Sequence, residues 1–396
     1  MIGAEEESIL VLNVGSSTVK FGFFALHGND DPLIHGVLYQ SGAASGQVRL
    51  TDRSGRTETR ELGSSHADGV AGLLRALEEN SVFTSVRAVG HRLVHGGSLL
   101  TKPVALGPAV RAMLDDVIPL APDHLPAELR AIDEISRRHS ALPQFACFDT
   151  AFHAGLPAVA RTFGLPRGLS DAGVVRYGFH GLSYEYVITS LRERGELPRR
   201  AIIAHLGSGA SLAAILDGAS VDTSMGMTPA GGLVMSTRSG DLDPGVLLYL
   251  MRARNYSSVQ IDETVNRSGG LLGISQTTGD VRQLLAAAPA DPRAREAIDI
   301  FCYQITKFIG AYAAALGGLD LLVFTGGIGE HAARVRAGVC ERLGFLGIRI
   351  EPALNEADQP LISVASTSVA VRIVKTREEV MIARHVRAAL GLQSER

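Results

Sequence analysis

The chain has 396 residues, of which 46% are hydrophobic and 20% charged, and its formal net charge is -3. This composition supplies ample apolar material for a core and excludes a largely disordered chain, while the length favours two large lobes over one. The small negative charge argues against nucleic-acid binding, because proteins with that function usually present a strongly basic face.

Two hairpins of the same pattern are the first predicted elements. Residues 8–26 place a Gly-Ser turn between two apolar strands, and residues 201–216 repeat the arrangement. Backbone N–H groups in such a turn, with a nearby cation such as Lys20, can cradle phosphate oxygens. One of these turns alone could be an ordinary connection. Two of them predict a duplicated architecture that closes on a shared phosphate ligand.

Residues 33–62 read as further short strands and residues 67–77 have helical spacing, so the first lobe is predicted to be a mixed sheet with crossing helices. A strand then ends at Arg92, which stands between His91 and His95. This group could bind an anion or a metal. The metal is the weaker interpretation, and the planar guanidinium of Arg92 suits a carboxylate or phosphate.

The loop 120–126 precedes a helix predicted over residues 127–138, and it is either a plain helix entry or a functional loop. The buried-type strand 143–148 ends at Asp149. Acids at the carboxyl ends of strands lie where α/β enzymes place their chemistry. The Gly- and Pro-rich residues 155–173 are interpreted as the hinge between the lobes.

In the second lobe, His180 lies between glycines just before a helix that runs to about residue 194. Further helices are predicted over residues 244–254 and 291–316, the latter with a face suited to the core or to a subunit interface. Asp280 begins a helix, where capping alone could explain it. The glycine-rich turn 325–331 joins a strand to a helix and is a weak nucleotide signal. A strand over residues 368–375 precedes the last helix, which begins near Thr376.

Three widely separated cysteines, Cys147, Cys302 and Cys340, indicate reduced thiols. The acidic start of the chain is unlike a signal peptide, and the strongest apolar run, residues 308–319, is too short to span a bilayer. The sequence therefore predicts a cytoplasmic protein that neither binds nucleic acid nor inserts into a membrane.

Eight ordered motifs cover nearly the whole chain. They are residues 13–20 (NVGSSTVK), 90–97 (GHRLVHGG), 148–153 (FDTAFH), 176–181 (RYGFHG), 205–211 (HLGSGAS), 222–226 (DTSMG), 237–245 (TRSGDLDPG) and 324–330 (FTGGIGE). Together they resemble the acetate kinases and their propionate kinase relatives. Several long motifs in the family's order make a chance resemblance very improbable.

The resemblance implies an α/β fold: the two-lobed, duplicated ribonuclease H-like fold of the acetate and sugar kinase, heat-shock protein 70 and actin superfamily. Each lobe is then expected around a mixed five-stranded sheet, with ATP in the cleft between lobes. The N-terminal lobe would comprise residues 1–150 plus about 385–396, and the nucleotide-binding lobe residues 151–384. A homodimer is also implied.

The implied reaction is the reversible, direct in-line transfer of a phosphoryl group from ATP to acetate. Arg92 and Arg238 match the arginines that hold the carboxylate and the moving phosphoryl group, and His180 matches a transition-state stabiliser. Asp149 matches the acid that orients the reactive groups, and Asn13 matches an active-site position. Phosphoryl transfer requires mainly positioning and charge neutralisation, so this set of groups is chemically sufficient.

The resemblance also implies Mg²⁺, with Mn²⁺ as an alternative, at Asn13 and Glu378. ATP and ADP would be bound by residues of several loops. These are Lys20, His205, Leu206, Gly207, Ser208, Gly209, Asp280, Val281, Arg282, Gly327, Ile328, Gly329, Glu330 and His331. Ser208 and His331 stand where the family usually has asparagine, which affects the expected nucleotide preference.

Val94, Asp123, Phe179 and Pro229 would line the acyl pocket together with Arg92. Asp123 falls where the family usually has leucine, and Ala230-Gly231 replaces the usual Leu-Glu. A pocket of different size or polarity is therefore expected, and the alternatives to acetate are propionate, butyrate or a hydroxylated short acid. A non-catalytic nucleotide-binding protein of the same fold is the remaining alternative.

Overall fold

Two separate β-sheets organise the chain, one in each of two compact units. The computed structural model describes residues 6–15, 18–41, 45–62, 69–79 and 82–392. The described residues of Met1–Ala151 and Arg377–Arg396 form the first unit, and those of Phe152–Thr376 form the second.

The first unit is built on eight strands. They are β1 (Ser8–Val14), β2 (Thr18–Ala25), β3 (Pro32–Ser41), β4 (Ser45–Asp52), β5 (Thr57–Leu62), β6 (Val86–Leu93), β7 (Val104–Ala105) and β8 (Gln144–Phe148). They lie in the order β5-β4-β3-β2-β1-β6-β8-β7, with β1, β6 and β8 parallel. The expected five strands are wrong for this unit, because the β4–β5 hairpin and the short β7 extend the two edges of the sheet.

The second unit has five strands, as expected. They are β9 (Arg200–Leu206), β10 (Ala210–Leu216), β11 (Ala219–Thr223), β12 (Leu321–Thr325) and β13 (Ala370–Ile373), in the order β11-β10-β9-β12-β13. Both predicted hairpins are present, since β2 runs antiparallel to β1 and β10 runs antiparallel to β9. Ser16 and Ser17 of the first turn lie outside the described residues.

Helices connect and cover the strands. In chain order they are α1 (Gly69–Glu78), α2 (Pro108–Val117), α3 (Leu125–Arg138), α4 (Ala158–Arg161), α5 (Arg167–Asp171), α6 (Gly181–Glu193), α7 (Pro244–Ala253), α8 (Ser258–Asn266), α9 (Gly270–Ser275), α10 (Val281–Ala287), α11 (Pro292–Ala315), α12 (Gly326–His331), α13 (Ala333–Cys340), α14 (Pro352–Glu356) and α15 (Glu378–Ala389). Short 3-10 turns span Val82–Ser85, Ile118–Leu120, Ala151–His153 and Glu341–Leu346.

Three local predictions need correction. Helix α3 begins at Leu125, two residues before the predicted start, because a helix tolerates Pro126 in its first turn. The glycine-rich turn after β12 is itself a short helix, α12. Strand β6 ends at Leu93, one residue after the predicted end at Arg92. The start predicted for α1 at residues 67–68 lies outside the described residues.

The centre of each sheet is apolar on both faces. Ile9, Leu10, Val11 and Leu12 of β1 are fully buried, as expected for a strand covered on both sides. Helix α15 packs against β1 and β6, with Ile382 and Val386 buried. The last helix of the chain therefore completes the core of the first unit. Among the described helices, none is long and apolar enough to cross a membrane.

Gly90 of β6 packs closely against α15. A Cβ atom there would lie 2.5 Å from Ile382 Cγ2 and 2.9 Å from Val386 Cγ2. We expect Gly90→Ala to destabilise the protein by about 1–3 kcal/mol through overpacking, measured as a lower midpoint in thermal or urea unfolding. Gly310→Ala is the matched control, because its Cβ would meet nothing within 4 Å. An unchanged midpoint in Gly90→Ala would contradict the close packing.

Candidate active site

The parallel arrangement of β1, β6 and β8 brings three predicted site residues together. Asn13 lies near the end of β1, Arg92 near the end of β6, and Asp149 directly after β8. Leu12 is the register partner of His91, and Arg92 that of Cys147. Because parallel neighbours end at one edge of a sheet, their polar terminal side chains meet there.

Arg92 is held by Asp149 in a two-point contact. Its Nε lies 3.3 and 3.2 Å from the two carboxylate oxygens, and its Nη2 lies 2.5 Å from Oδ2. The Nη1 atom faces Asn13 Oδ1 at 3.5 Å. Burial alone would lower the pKa of Arg92, but the charges of Asp149 and Glu128 outweigh it and raise the pKa. The guanidinium therefore stays charged and has a fixed orientation.

Glu378, the first residue of α15, completes this cluster. Its Oε2 accepts a hydrogen bond from Asn13 Nδ2 at 3.3 Å. Burial, and then the neighbouring charge of Asp149, raise the pKa of the Glu378 carboxyl. A cation at this position would offset both effects. Lys20 is the antiparallel partner of Asn13 and is exposed.

Glu128 also belongs to this cluster, although the sequence analysis did not single it out. It lies on α3 with 1% of its side chain exposed, and its Oε2 accepts a hydrogen bond from Val94 N at 3.0 Å. Its Oε1 lies 3.6 Å from Arg92 Nη1. The only sequence signal is an acid in the first turn of a helix, which the helix dipole explains equally well.

In the second unit, His180 is oriented by a chain of hydrogen bonds. It precedes α6 in the left-handed backbone conformation, with φ 59°. Its Nδ1 lies 2.8 Å from Ser211 Oγ, and Ser211 Oγ lies 2.5 Å from Tyr184 OH. Ser211 and Tyr184 are fully buried. The contact with Ser211 therefore fixes the orientation of the imidazole ring.

His205 and Arg238 lie around the same histidine. The rings of His180 and His205 stack with centroids 4.2 Å apart. A Cβ atom at Gly209 would lie 3.4 Å from His180 Nε2 and 3.5 Å from Arg238 Nη1. Arg238 Nη1 donates to Pro229 O at 3.0 Å. Predicted nucleotide and catalytic residues therefore converge at the β9–β10 turn.

A family model described as the acetokinase family matches residues 8–384. The chain belongs to this family. An acetate kinase of Rhodopseudomonas palustris is 44% identical over 96% of the chain and 97% of the relative, and one of Deinococcus radiodurans is 41% identical over 96% and 98%.

Two solved structures of acetokinase-family enzymes confirm the predicted fold. A propionate kinase from Francisella tularensis is similar with a TM-score of 0.89 and 35% identity, covering 96% of this chain and 98% of that one. An acetate kinase from Porphyromonas gingivalis has a TM-score of 0.86 and 39% identity, covering 97% and 100%. The resemblance identified from the sequence motifs is thus confirmed.

Apart from Lys20 on β2, the other positions expected to contact nucleotide lie at the start of α10 and along the short helix α12. Asp280 caps α10 by accepting from Arg282 N at 2.8 Å, and the Arg282 side chain is 88% exposed. Glu330 Oε1 accepts from Gly326 N at 3.0 Å, so this carboxylate fixes the start of α12. His331 Nδ1 lies 3.4 Å from Asp358 Oδ2.

The expected acyl-pocket residues differ in exposure. Val94 and Phe179 are buried, at 3% and 1% exposed, and Pro229 is half-buried. Asp123 is exposed on the loop before α3. The Asp123 carboxylate is therefore not buried within this chain, and it does not carry the desolvation cost that burial would impose.

The histidine pair named as a candidate metal site has other partners. His91 Nε2 lies 2.8 Å from Gln144 Oε1, and His95 Nδ1 accepts from Gly97 N at 2.9 Å. Within the described ranges, no group of three or more His, Cys, Asp or Glu side chains could hold a metal ion. These histidines therefore serve the fold around Arg92.

His153 supports the segment that carries His180. Its Nε2 contacts Phe179 O at 3.1 Å and its Nδ1 lies 2.8 Å from Ser220 Oγ. Since a carbonyl only accepts, Nε2 donates, and Nδ1 accepts from the serine in the neutral ring. Burial lowers the pKa of His153 from 6.5 to about 4.

This lowered pKa predicts a loss of stability in acid. Between pH 6.5 and about 4, the unfolded chain takes up a proton that the folded chain refuses, so stability falls as pH falls through this window. The loss attributable to His153 should reach about 3 kcal/mol at pH 4. His153→Gln should flatten the pH dependence of the unfolding midpoint, whereas His27→Gln, at an exposed site, should not. Equal slopes in both variants would contradict a buried neutral His153.

Proposed function

We propose that this protein transfers the γ-phosphoryl group of ATP to a short-chain carboxylate, with acetate as the expected acid and acetyl phosphate and ADP as products. A carboxylate oxygen attacks the γ-phosphorus while the bond to the β,γ-bridging oxygen breaks, and ADP leaves with that electron pair. The reaction is reversible. The observation that carries the proposal is Arg92, half-buried and oriented by Asp149 at the ends of parallel strands, in a chain of the acetokinase family.

Each proposed role follows from the charge that the group can offer. Arg92 would bind the carboxylate, since two of its edges are fixed by Asp149 and Asn13. Arg238 would neutralise the phosphoryl group in flight. His180, oriented by its contact with Ser211, would stabilise the charge on the equatorial phosphoryl oxygens. These positions need no covalent enzyme intermediate.

Nucleotide would be bound mainly by the second unit. The β9–β10 turn presents Gly207 and Gly209 beside Ser208, which is exposed and offers a hydroxyl. The proposal places the other contacts at the starts of α10 and α12, where backbone N–H groups and the helix dipole favour anions. His331 offers a ring for stacking or donation in place of an amide.

A divalent cation fits the chemistry of Glu378 and Asn13. Burial, and then the charge of Asp149, raise the pKa of the Glu378 carboxyl, so a cation beside it would be favourable. Mg²⁺ accepts one or two protein oxygens while keeping several waters. We therefore propose that these two residues hold Mg²⁺, or Mn²⁺. When bound, the ion would neutralise phosphate charge, while Arg92 and Asp149 orient the acid.

The proposal has a specific alternative to acetate as the preferred acid. Ala230 and Gly231 carry little side-chain bulk beside Pro229. These two positions are smaller than the Leu-Glu that is usual in the family. The smaller side chains favour an acid larger than acetate, such as propionate, butyrate or glycolate.

Trapping the acyl phosphate with hydroxylamine tests the function directly. We expect ATP- and Mg²⁺-dependent formation of hydroxamate from acetate. The values of kcat/KM for acetate, propionate, butyrate and glycolate give the order of preference among these acids.

Arg238→Ala and His180→Ala should lower kcat by about 100-fold or more with little change in ATP affinity, because they act on the transition state. Absence of product with every short acid, despite ATP binding, would instead favour a non-catalytic nucleotide-binding protein.

We also propose a cytoplasmic homodimer. The support for a dimer is helix α7, in which no residue is buried, together with α8, which is likewise unburied. Large apolar side chains are exposed on and beside α7: Leu242, Val246, Leu248, Tyr249 and Met251. A group of exposed large apolar side chains on one short segment is the kind of surface that a protein interface would cover.

Leu248→Asp combined with Tyr249→Asp should convert the dimer to a monomer, because two charges would be desolvated in the contact. The molar mass measured by light scattering during size exclusion should fall from twice the chain mass to the chain mass. Val159→Asp changes another exposed apolar residue and should leave the mass unchanged. A dimer that survives the double substitution would place the contact elsewhere.

A further inference from the structure

Glu128 is a buried acid whose charge the proposed chemistry does not use. It lies in the first turn of α3, where Leu125 and Leu129 are buried beside it. No described residue donates a hydrogen bond to its Oε1. A buried carboxylate oxygen without a hydrogen bond is costly, so the site needs another source of stabilisation.

That stabilisation comes from the end of β6. Oε2 accepts from Val94 N at 3.0 Å, and Oε1 lies 3.6 Å from Arg92 Nη1. Strand β6 ends at Leu93, so the Val94 amide lies beyond the ladder and takes its partner from α3 instead. The Glu128 carboxylate thus contacts both the side chain of Arg92 and the backbone of Val94.

Arg92 consequently lies between two acids. Asp149 engages Nε and Nη2, whereas Glu128 faces Nη1 from the other side. The remaining contact of Nη1 is Asn13 Oδ1, at 3.5 Å. Without Glu128, only this long neutral contact would restrain the Nη1 side of the guanidinium.

We propose that Glu128 is a positioning residue for the phosphoryl-transfer reaction: it fixes Arg92 and Val94 relative to each other so that the acid is held in a single orientation. The inference rests on the proposed function, because Arg92 is the proposed carboxylate ligand and Val94 the proposed wall of the acyl pocket. Glu128 itself contacts neither substrate.

The charge of Glu128 provides a second, independent test of the proposal, because its effect on Arg92 depends on pH. Burial raises the pKa of Glu128 to about 7, against the opposing effects of Arg92 and the Val94 N–H. The charged groups that face it are Arg92 from β6 and, more distantly, Asp149 after β8. Above neutral pH the ionised form attracts Nη1, and below it the neutral form does not. A neutral glutamine should therefore resemble the wild type in acid and differ from it in base.

The experiment compares Glu128→Gln with Glu134→Gln, which makes the same change on the same helix. Glu134 pairs with Arg137 and Arg138 instead. At pH 8, Glu128→Gln should lower kcat/KM for the acid by about tenfold, the usual scale of a lost charged contact, with the nucleotide KM within about twofold. Glu134→Gln should match the wild type. At pH 6, the kcat/KM of the wild type should be nearly equal to that of Glu128→Gln. Glu378 is present in both proteins, so its titration affects both values and cancels in their ratio.

A double-mutant cycle separates positioning from a general structural effect. In the Arg92→Ala background, Glu128→Gln should change kcat/KM by less than about twofold, because its effect passes through Arg92. An equal loss in both backgrounds, or wild-type activity of Glu128→Gln at pH 8, would overturn the proposal.

A measurement on the Arg92 side chain needs no turnover. The side-chain ¹⁵N signals of Arg92, assigned by their absence in Arg92→Lys, should shift with a midpoint near neutral pH, and rotation about Cζ–Nε should slow above it. Because Glu378 also acts on Arg92, the same titration is recorded in Glu128→Gln, where the part of the shift due to Glu128 should be absent. Equal shifts in wild type and Glu128→Gln would overturn the proposal. If no short acid is turned over but the shifts differ in this way, the proposed function fails and the Glu128–Arg92 link stands.

Discussion

The ion pair between Arg92 and Asp149 is the interaction on which the first unit's site depends. Removing one partner would leave an uncompensated charge with little access to water, at a cost of about 3–5 kcal/mol. The pair exists because β6 and β8 are parallel neighbours, and the Asp149 amide donates to Leu93 O at 3.0 Å. The same strand pairing that builds the sheet therefore sets the orientation of the guanidinium.

Several negatively charged side chains surround the single positive charge of Arg92. Three carboxylates, those of Asp149, Glu128 and Glu378, influence Arg92. Burial raises the pKa values of Glu128 and Glu378, and the charge of Asp149 adds to this effect, against the opposing charge of Arg92. The proposed carboxylate substrate would add a further negative charge. The proposed divalent cation beside Glu378 would offset part of this charge, which gives a physical reason for the proposed metal dependence.

Much of the fold and part of the site follow from local patterns. The two hairpins, the strand before Asp149 and the helix after His180 were predicted because alternation, turn residues and helical spacing are short-range signals. The errors arose where those signals stop. Pro126 was treated as preceding its helix, and the two-residue edge strand β7 had no signal of its own. Glu128 resembled an ordinary helix-start acid.

The sequence by itself determined the family, the strand and turn elements, and the identity of the residues that carry charge to the candidate site. Only the tertiary structure decided which groups hold these residues. Asp149 lies 57 positions from Arg92 and Glu378 lies 365 positions from Asn13. Motifs record residue types over short spans, whereas the direction of a side chain, its burial and its pKa depend on neighbours that distant parts of the chain supply. Arg92 and Asp149 were therefore predictable from the sequence, whereas Glu128, the second acid beside Arg92, was not.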